Sequence, residues 1–473
     1  MSEKYDVVII GAGIGGLVCG CYLAKAGLKV LIVEQQNKPG GYCTSFERQG
    51  YRFDVGVHYL GGIKRGVLGK ILDDLKLKDK IRFTRSDPTD KIVMPDNITY
   101  IRVNPYETIE EFKKTFPKED ERIEKFFKFI MNSDFLSIYR KTKSLNFASL
   151  LDEFFDDYKL KSTLGILLNN LGLSPKKASA LTSLILFKEF ILDPGYYPIG
   201  GMGNFSLHLA KQFQKYGGEL CLSTKADQII IKNNKVNGCI INKRELINSN
   251  YVVSNADATE TFTQLIKENT KERKVIKKLI PSPSLFVLYL GLDKKISNIN
   301  GCNIWKSNVY EIDNYMLNLT DAFRKKKIPF FMVSFPSEHD YETKMLNKQV
   351  MQVYLIAPYY TKNFWEINRE SLSEKVIKEL EKENLFIKNK IRVKLTAIPP
   401  TFKRYTSNKR GAAFGWASTV QQVDSSILPQ ASSIDGLVLA GHWCMIGNGQ
   451  GGIPTVAFSG KKASELILKS SKK

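Results

Sequence analysis

Residues 6–34 constrain the fold more than any other part of the chain, because they have the complete pattern of a nucleotide-binding β-α-β unit. Residues 6–10 are an apolar run typical of a buried strand. The glycine-rich turn that follows opens an apolar helix predicted over residues 17–26, and a second apolar strand is predicted over residues 29–33. A strand, a glycine-rich turn, a helix and a strand in this order predict an α/β fold with a dinucleotide site.

The glycines of this turn have separate roles in such a site. Gly11 makes the tight turn, Gly13 lets the backbone approach the phosphates, and Gly16 lets the helix pack closely against the strand. Gly15 stands beside them at the helix start, whose free N–H groups suit a pyrophosphate. Glu34 ends the second strand, where a carboxylate accepts hydrogen bonds from ribose hydroxyls and repels a 2'-phosphate. The alternative interpretation is a glycine-rich turn in an unrelated α/β protein.

Length and charge bound the classes of protein that this chain can belong to. Its 473 residues exceed what one hydrophobic core usually organises, so two domains are expected. Lys and Arg number 70 against 48 Asp and Glu, for a formal net charge of +22. This charge fits an anionic partner, such as nucleic acid or a lipid surface, or a lysine-rich compositional bias. The basic residues are dispersed, so no nucleic-acid partner is expected.

The cysteines and the apolar runs predict the cellular environment. Seven cysteines are scattered without paired zinc spacing, so reduced thiols and no metal site are expected. The first strand begins close to Met1, which leaves no room for a signal peptide, and no apolar run reaches the roughly 20 residues that span a bilayer. We therefore expect a cytoplasmic protein, either soluble or peripheral on the cytoplasmic face of the membrane.

Two short segments after the second strand carry further candidates. Gly40 and Gly41 allow another close backbone approach to a large nucleotide, as flavin proteins use. Residues 51–60 alternate like a strand and bring His58 and Tyr59 into a dense group of polar residues and glycines. His58 is either a structural histidine or a group beside the flavin.

The middle of the chain departs twice from the nucleotide-binding pattern. Residues 66–193 show helical periodicity, and within them residues 123–131 and 181–192 fit either core packing or an interfacial helix. Strand patterns return over residues 219–257, before a second excursion over residues 262–396. The expected arrangement is a discontinuous nucleotide-binding domain with an inserted substrate-binding domain.

The C-terminal block contains a second spaced-glycine pattern. A short strand ends at Gly441, and the glycines from Gly447 to Gly452 precede a helix predicted over residues 454–469. No strand and no acid follow this helix, so it lacks half of the unit that a second dinucleotide would need. The helix start is therefore predicted to face a flavin ring, where its dipole stabilises negative charge. One FAD, without NAD, is expected.

Together these blocks resemble the family of phytoene desaturases, carotenoid isomerases and retinol saturases, which shares a flavin fold with monoamine oxidases. The N-terminal unit and residues 53–60 match the family's N-terminal motif, and the latter look particularly like retinol saturases. Residues 198–203 and 253–257 match internal motifs, and residues 447–460 are similar to plant-type carotenoid isomerase. The two excursions carry little that matches.

The resemblance implies a discontinuous Rossmann-like FAD-binding domain with an inserted α+β substrate-binding domain. The FAD-binding domain is assigned to residues 1–65, 196–261 and 397–473. The substrate-binding domain is assigned to residues 66–195 and 262–396, with a helical part that can face a membrane.

By the same resemblance, FAD is held non-covalently, with the adenine near Ala226 and the isoalloxazine beside the start of the C-terminal helix. The enzyme is expected to desaturate, saturate or isomerise a carbon–carbon double bond of a carotenoid, retinoid or other apolar unsaturated lipid. His58 and Tyr59 are the candidate proton donors that saturation needs. The residues assigned to the cofactor are Gly11, Gly13, Gly15, Gly16, Glu34, Gly40, Gly41, Ala226, Gly441, Gly452, Ile453, Pro454 and Thr455.

Two alternatives and one partner complete the set of hypotheses. A flavin amine oxidase shares this fold, and Trp416 with Tyr59 would form its aromatic cage. A binding protein like the GDP dissociation inhibitors shares the fold without redox chemistry. The net charge and the group Phe126, Phe127 and Phe129 predict reversible attachment to an anionic membrane. The sequence specifies neither an electron donor nor an acceptor.

Overall fold

A computed structural model describes residues 4–297, 299–340, 348–383, 385, 387–424, 426–444 and 452–471. Two seven-stranded sheets organise the described residues. The strands of the first sheet are β1 (Lys4–Ile10), β2 (Val30–Val33), β9 (Glu219–Cys221), β10 (Ala226–Lys232), β11 (Lys235–Ile241), β12 (Glu245–Ser254) and β18 (Leu437–Leu439). Their order is β10-β11-β12-β1-β2-β9, and β18 pairs with β12.

The centre of the first sheet is parallel and buried on both faces. β1 lies between β2 and β12, parallel to both, so that Ile10 aligns with Val33 on one side and with Ser254 on the other. Val7 and Val8 point to opposite faces and are both fully buried, as expected for a parallel sheet covered on two sides. The carboxyl ends of these strands therefore meet at one edge, which confirms the α/β fold class.

The second sheet combines strands from two separate parts of the chain. The strands are β6 (Asp90–Val93), β7 (Ile98–Ile101), β13 (Ser284–Leu292), β14 (Asn303–Ser307), β15 (Phe330–Ser334), β16 (Gln349–Ala357) and β17 (Ile391–Ala397). Their order is β17-β13-β16-β15-β14-β6-β7. Every residue of β13 and β16 is buried.

Helices cover both sheets. The first helix packs against the last, with their backbones close enough that a Cβ on Gly460 would lie 2.2 Å from the carbonyl oxygen of Gly15. The helices are α1 (Ile14–Lys25), α2 (Val67–Asp74), α3 (Pro105–Thr115), α4 (Asp120–Asn132), α5 (Phe135–Thr142), α6 (Phe147–Phe154), α7 (Tyr158–Gly165), α8 (Ala180–Leu186), α9 (Met202–Lys215), α10 (Ala258–Glu260), α11 (Lys271–Ile276), α12 (Ile312–Leu317), α13 (Leu319–Arg324), α14 (Lys362–Lys382), α15 (Pro399–Thr406) and α16 (Ile453–Ser470).

The strand predicted over residues 51–60 is shorter in the structure. Two hairpin strands, β3 (Ser45–Arg48) and β4 (Tyr51–Asp54), pair with each other, and the prediction is wrong for residues 55–60. The Asp54 carboxylate explains the end of the strand, because it accepts hydrogen bonds from Ser45 Oγ and from the Tyr197 hydroxyl. The remaining short strands, β5 (Phe83–Thr84) and β8 (Tyr197–Pro198), form a separate pair.

The prediction that Phe126 and Phe127 face a membrane is wrong, and core packing is confirmed for both. Each side chain has 0% exposure, while Phe129 is partly buried. The Phe126 ring lies 5.2 Å from the rings of Phe154 and Phe155, so α4 turns its aromatic face inward. None of the described helices is long and apolar enough to cross a membrane.

Candidate functional site

A cavity of about 1130 Å³ lies where the parallel strands of the first sheet end. The predicted cofactor and catalytic residues line it, apart from Gly15 and Gly16, which lie behind its wall in α1. The predicted residues that line the cavity are Gly11, Gly13, Glu34, Gly40, Gly41, His58, Tyr59, Ala226, Gly441, Gly452, Ile453, Pro454 and Thr455. The predicted glycines Gly447, Gly449 and Gly451 lie outside the described residues.

The glycine-rich turn packs so closely that side chains are excluded from it. A Cβ on Gly16 would lie 2.2 Å from the carbonyl oxygen of Gly11, and one on Gly15 would lie 2.6 Å from Asn255 Oδ1. Gly40 donates its N–H to the carbonyl oxygen of Ala12 at 2.8 Å, which brings the second glycine pair against the first turn. The cavity wall here is bare backbone, which suits a pyrophosphate.

Glu34 ties the turn to the end of β2. Its Oε2 accepts the N–H of Ala12 at 2.8 Å, and its Oε1 accepts the N–H of Gln36 at 2.9 Å. Burial raises the pKa of this carboxyl, while both backbone donors lower it. Thr224 donates its N–H to the backbone carbonyl oxygen of Glu34 at 2.8 Å. This bond brings the start of β10, where Ala226 lies, next to the end of β2. This arrangement fits an adenosine whose ribose is held by Glu34.

Two residues that line this wall were not predicted from the sequence. Asn255 follows β12 and donates from Nδ2 to the carbonyl oxygen of Gly11 at 3.2 Å. His442 follows Gly441 and lies 3.3 Å, through Nε2, from Asn408 Nδ2. Burial lowers the pKa of His442 to about 4, so its ring is neutral at pH 7. The available signal was a polar residue directly after an apolar strand that ends at the cofactor edge.

His58 and Tyr59 contact protein partners beside the cavity. His58 Nε2 lies 3.2 Å from Asn170 Oδ1, and His58 Nδ1 lies 3.2 Å from Asn303 Nδ2. The Tyr59 hydroxyl donates to Asp90 Oδ2 at 2.9 Å. Since Nδ1 accepts from an amide nitrogen, the proton of the neutral imidazole is on Nε2 and is donated to Asn170.

These contacts limit what both residues can do with a proton. Burial lowers the pKa of His58 to about 4, and the hydrogen bond to Asn170 opposes that shift only in part. Burial raises the pKa of Tyr59 well above its ordinary value, and the neighbouring Asp90 raises it further. At neutral pH both side chains are uncharged, and their protons are donated to other protein groups.

The cavity continues from the glycine wall into an apolar section. The polar exceptions there include Thr182 and Glu189, on α8 and on the π-helical turn Phe187–Ile191 that follows it. Phe190 stacks on Tyr59 with ring centroids 4.6 Å apart. The apolar lining residues include Leu171, Ile185, Leu186, Phe190, Leu285 and Phe414.

Trp416 does not contribute to an aromatic cage in this cavity. Its side chain has 0% exposure, packs against Trp443 with ring centroids 4.8 Å apart, and donates Nε1–H to the Trp443 carbonyl oxygen. The predicted pairing of Trp416 with Tyr59 around an amine is therefore wrong. Among the described residues, no group of three or more His, Cys, Asp or Glu could hold a metal ion.

Comparisons with known proteins agree with this geometry. The chain matches the model of a family described as flavin containing amine oxidoreductase over residues 14–468. It is 27% identical to prolycopene isomerase from Daucus carota, over 98% of this chain and 80% of the relative. It is 24% identical to all-trans-retinol 13,14-reductase from Danio rerio, over 88% of this chain and 78% of the relative. Its fold is similar to that of an oxidoreductase from Methanosarcina mazei, with a TM-score of 0.69 and 17% identity over 97% and 100% of the two chains.

Proposed function

The chain belongs to the family of flavin containing amine oxidoreductases, and from this premise we propose that it is an FAD-dependent enzyme that changes a carbon–carbon double bond of an apolar polyene. The change is a desaturation, a saturation or a cis–trans isomerisation of a carotenoid, retinoid or similar lipid. One observation carries the proposal: a single cavity joins the glycine wall to the apolar section. The names of the two relatives, an isomerase of prolycopene and a reductase of retinol, support the same substrate class.

The residues present fit FAD. Bare backbone at the glycine-rich turn suits the pyrophosphate, and Glu34 suits the ribose. In the proposed division, residues 1–65, 196–261 and 397–473 hold the cofactor, and residues 66–195 and 262–396 shape the substrate section. When bound, FAD supplies hydride and electron-pair chemistry.

The start of α16 fits the isoalloxazine end of the cofactor. Gly452 is the N-cap residue, and the first intrahelical bond runs from the N–H of Val456 to its carbonyl oxygen at 2.9 Å. Gly452, Ile453, Pro454 and Thr455 all line the cavity. The free end of the helix thus presents a positive dipole to the cavity, where it stabilises negative charge.

We expect the purified protein to be yellow, with one FAD per chain that acid or heat releases intact. Glu34→Ala removes the acceptor that faces the ribose, so FAD should bind about 1.5 to 3 kcal/mol more weakly while the chain stays folded. Fluorescence of the released FAD measures the amount bound per chain, and fluorescence titration of its rebinding measures the affinity. A colourless protein that cannot be reconstituted, a flavin that survives denaturation, or an unchanged affinity in the variant would each contradict this assignment.

We also propose that the protein attaches reversibly to anionic membranes through α5, instead of through α4 as the sequence suggested. The α5 surface consists of Phe135, Leu136, Tyr139, Arg140 and Lys143. Its three apolar side chains are 46%, 50% and 39% exposed, and its two basic side chains are exposed. Apolar and basic side chains together on one exposed helix suit an anionic lipid surface.

The position of α5 connects this surface to the cavity. Ile138, on the opposite face of α5, has 1% exposure, and α5 packs against α8. Thr182, Ile185 and Leu186 of α8 line the apolar section of the cavity. A membrane held at the α5 surface therefore lies one helix away from the proposed polyene section.

Vesicle flotation tests the α5 surface. The wild-type protein should float with anionic vesicles and less with neutral ones, and Phe135→Ala combined with Leu136→Ala should reduce flotation. Salt should weaken attachment, because the Debye screening length falls to about 3 Å at 1 M ionic strength. Ile367→Ala removes a side chain that is 68% exposed on α14, and it should leave flotation unchanged. If the protein does not float with anionic vesicles at low salt, the membrane proposal is wrong and the net positive charge reflects a lysine-rich composition.

A further inference from the structure

One face of α8 and its π-helical extension carries a carboxyl group into the apolar section. Thr182, Ile185, Leu186 and Glu189 all line the cavity, and their spacing of three, four and seven residues places them on one helix face. The turn Phe187–Ile191 is π-helical. Single π-helical turns occur frequently at functional sites. Here the π-helical turn places Glu189 at the end of the mostly apolar face of α8.

Glu189 lines the cavity, and one of its two carboxyl oxygens accepts a hydrogen bond. Its Oε2 accepts the N–H of Val67, the first residue of α2, at 2.8 Å. A Cβ on Gly66 would lie 2.2 Å from this oxygen, so the loop before α2 is shaped around it. Among the described residues, Oε1 has no hydrogen-bond partner. Burial raises the pKa of Glu189 and the neighbouring Asp193 raises it further, while the bond from Val67 and the charges of Lys188 and Lys70 oppose this shift.

The alternative proton donors beside the cavity are less suited. The Tyr59 hydroxyl proton is donated to Asp90, and the His58 proton is donated to Asn170. Both would have to give up a hydrogen bond inside the protein before reaching a substrate carbon. A carboxyl with a free oxygen in an apolar cavity needs no such rearrangement.

We propose that Glu189 is the proton donor and acceptor at a carbon of the polyene. The proposal rests on the proposed function. In the saturating direction the O–H bond at Glu189 breaks and the olefin π electrons form a C–H bond with its proton. Bound FAD in its reduced form would supply the hydride, and with it the electron pair, for the new C–H bond at the other olefin carbon. The carboxylate then takes a proton from water, and an external two-electron reductant such as dithionite balances the reaction.

The variant Glu189→Gln separates proton transfer by Glu189 from its hydrogen bond to the start of α2. Its amide oxygen still accepts the N–H of Val67, so the start of α2 keeps its partner, but the side chain holds no transferable proton. Glu189→Ala removes both functions. Glu260→Gln removes another carboxyl from the same cavity and is the matched control for spectroscopy.

The first readout is an infrared pH titration of the cofactor-free protein. We expect a protonated-carboxyl band that persists to higher pH than that of an ordinary glutamate, and that Glu189→Gln removes and Glu260→Gln leaves in place. The second readout is turnover of a polyene under dithionite in D2O. The wild-type product should carry two deuterium atoms from solvent, one from the proton donor and one by way of the reduced flavin. Glu189→Gln should slow turnover by about 10²- to 10⁴-fold with an unchanged melting temperature and FAD affinity.

The outcomes distinguish failure of the inference about Glu189 from failure of the proposed function. If the wild type converts a polyene and Glu189→Gln converts it at the same rate, Glu189 only caps α2 and the inference is wrong. If the wild type converts no polyene, the proposed function fails, and the infrared band alone then decides whether Glu189 holds a proton in the cavity. Absence of a band that depends on Glu189 would overturn the inference in that case as well.

Discussion

Gly16→Ala is expected to weaken FAD binding strongly and to destabilise the first sheet. The new Cβ would lie 2.2 Å from the carbonyl oxygen of Gly11 and 3.2 Å from Asn255 Nδ2. Neither neighbour can move freely, because Gly11 donates its N–H to the Val33 carbonyl oxygen at 2.8 Å and accepts a hydrogen bond from Asn255. Relief requires α1 to shift away from the turn, and overpacking typically costs about 1 to 3 kcal/mol.

Chemical unfolding and FAD titration measure this effect. Where the displaced turn takes up the upper end of this cost, FAD binding should weaken by a factor of about 100. Gly452→Ala is the control, since the nearest atom to its Cβ is Pro454 Cδ at 3.8 Å and its φ of −76° suits alanine. This control should unfold like the wild type. A Gly16→Ala protein with wild-type stability and bound FAD would show that the close packing of α1 is unnecessary.

Phe126→Ala is expected to destabilise the protein by about 3 to 5 kcal/mol, the cost of removing a buried aromatic ring. The ring packs against Phe127, Phe154, Phe155 and Phe187, all with centroids within 6.1 Å. Its loss leaves a cavity inside the helical layer of the inserted region.

Phe135→Ala is the matched variant on the neighbouring helix. This side chain is 46% exposed, so its removal should change stability by less than about 0.5 kcal/mol while weakening vesicle attachment. Urea unfolding compares the two variants. Equal stability of Phe126→Ala and the wild type would mean that α4 does not turn its aromatic face into the core.

The part of the site that follows from the residues alone has local geometry, whereas Ala226 was placed at the site by the family resemblance and lies far along the chain. Gly11, Gly13 and Glu34 belong to one β-α-β unit, in which strand length and turn chemistry fix the relative positions of residues that lie near one another in the chain. The register of β1 with β2 and the hydrogen bond from Ala12 to Glu34 follow from that unit alone.

The parts that sequence missed depend on pairing between distant segments. Asn255 reaches Gly11 because β12 pairs with β1, and nothing near Asn255 in the chain specifies that pairing. The burial of Phe126 was ambiguous because an amphipathic helix has the same periodicity whether its apolar face meets a core or a membrane. Glu189 was not predicted, because a single acid within the apolar run of residues 181–192 does not reveal in the sequence that it lines a cavity.

The most direct measurement of the central claim is anaerobic incubation of the FAD-loaded protein with a panel of carotenoids and retinoids, followed by chromatography and mass spectrometry. Saturation adds two hydrogens, desaturation removes two and requires an electron acceptor, and isomerisation changes retention without changing mass. We expect one of these changes in at least one redox state of the protein. If every polyene stays unchanged in both redox states while a simple amine rapidly bleaches the flavin, the claim is contradicted and the protein is an amine oxidase.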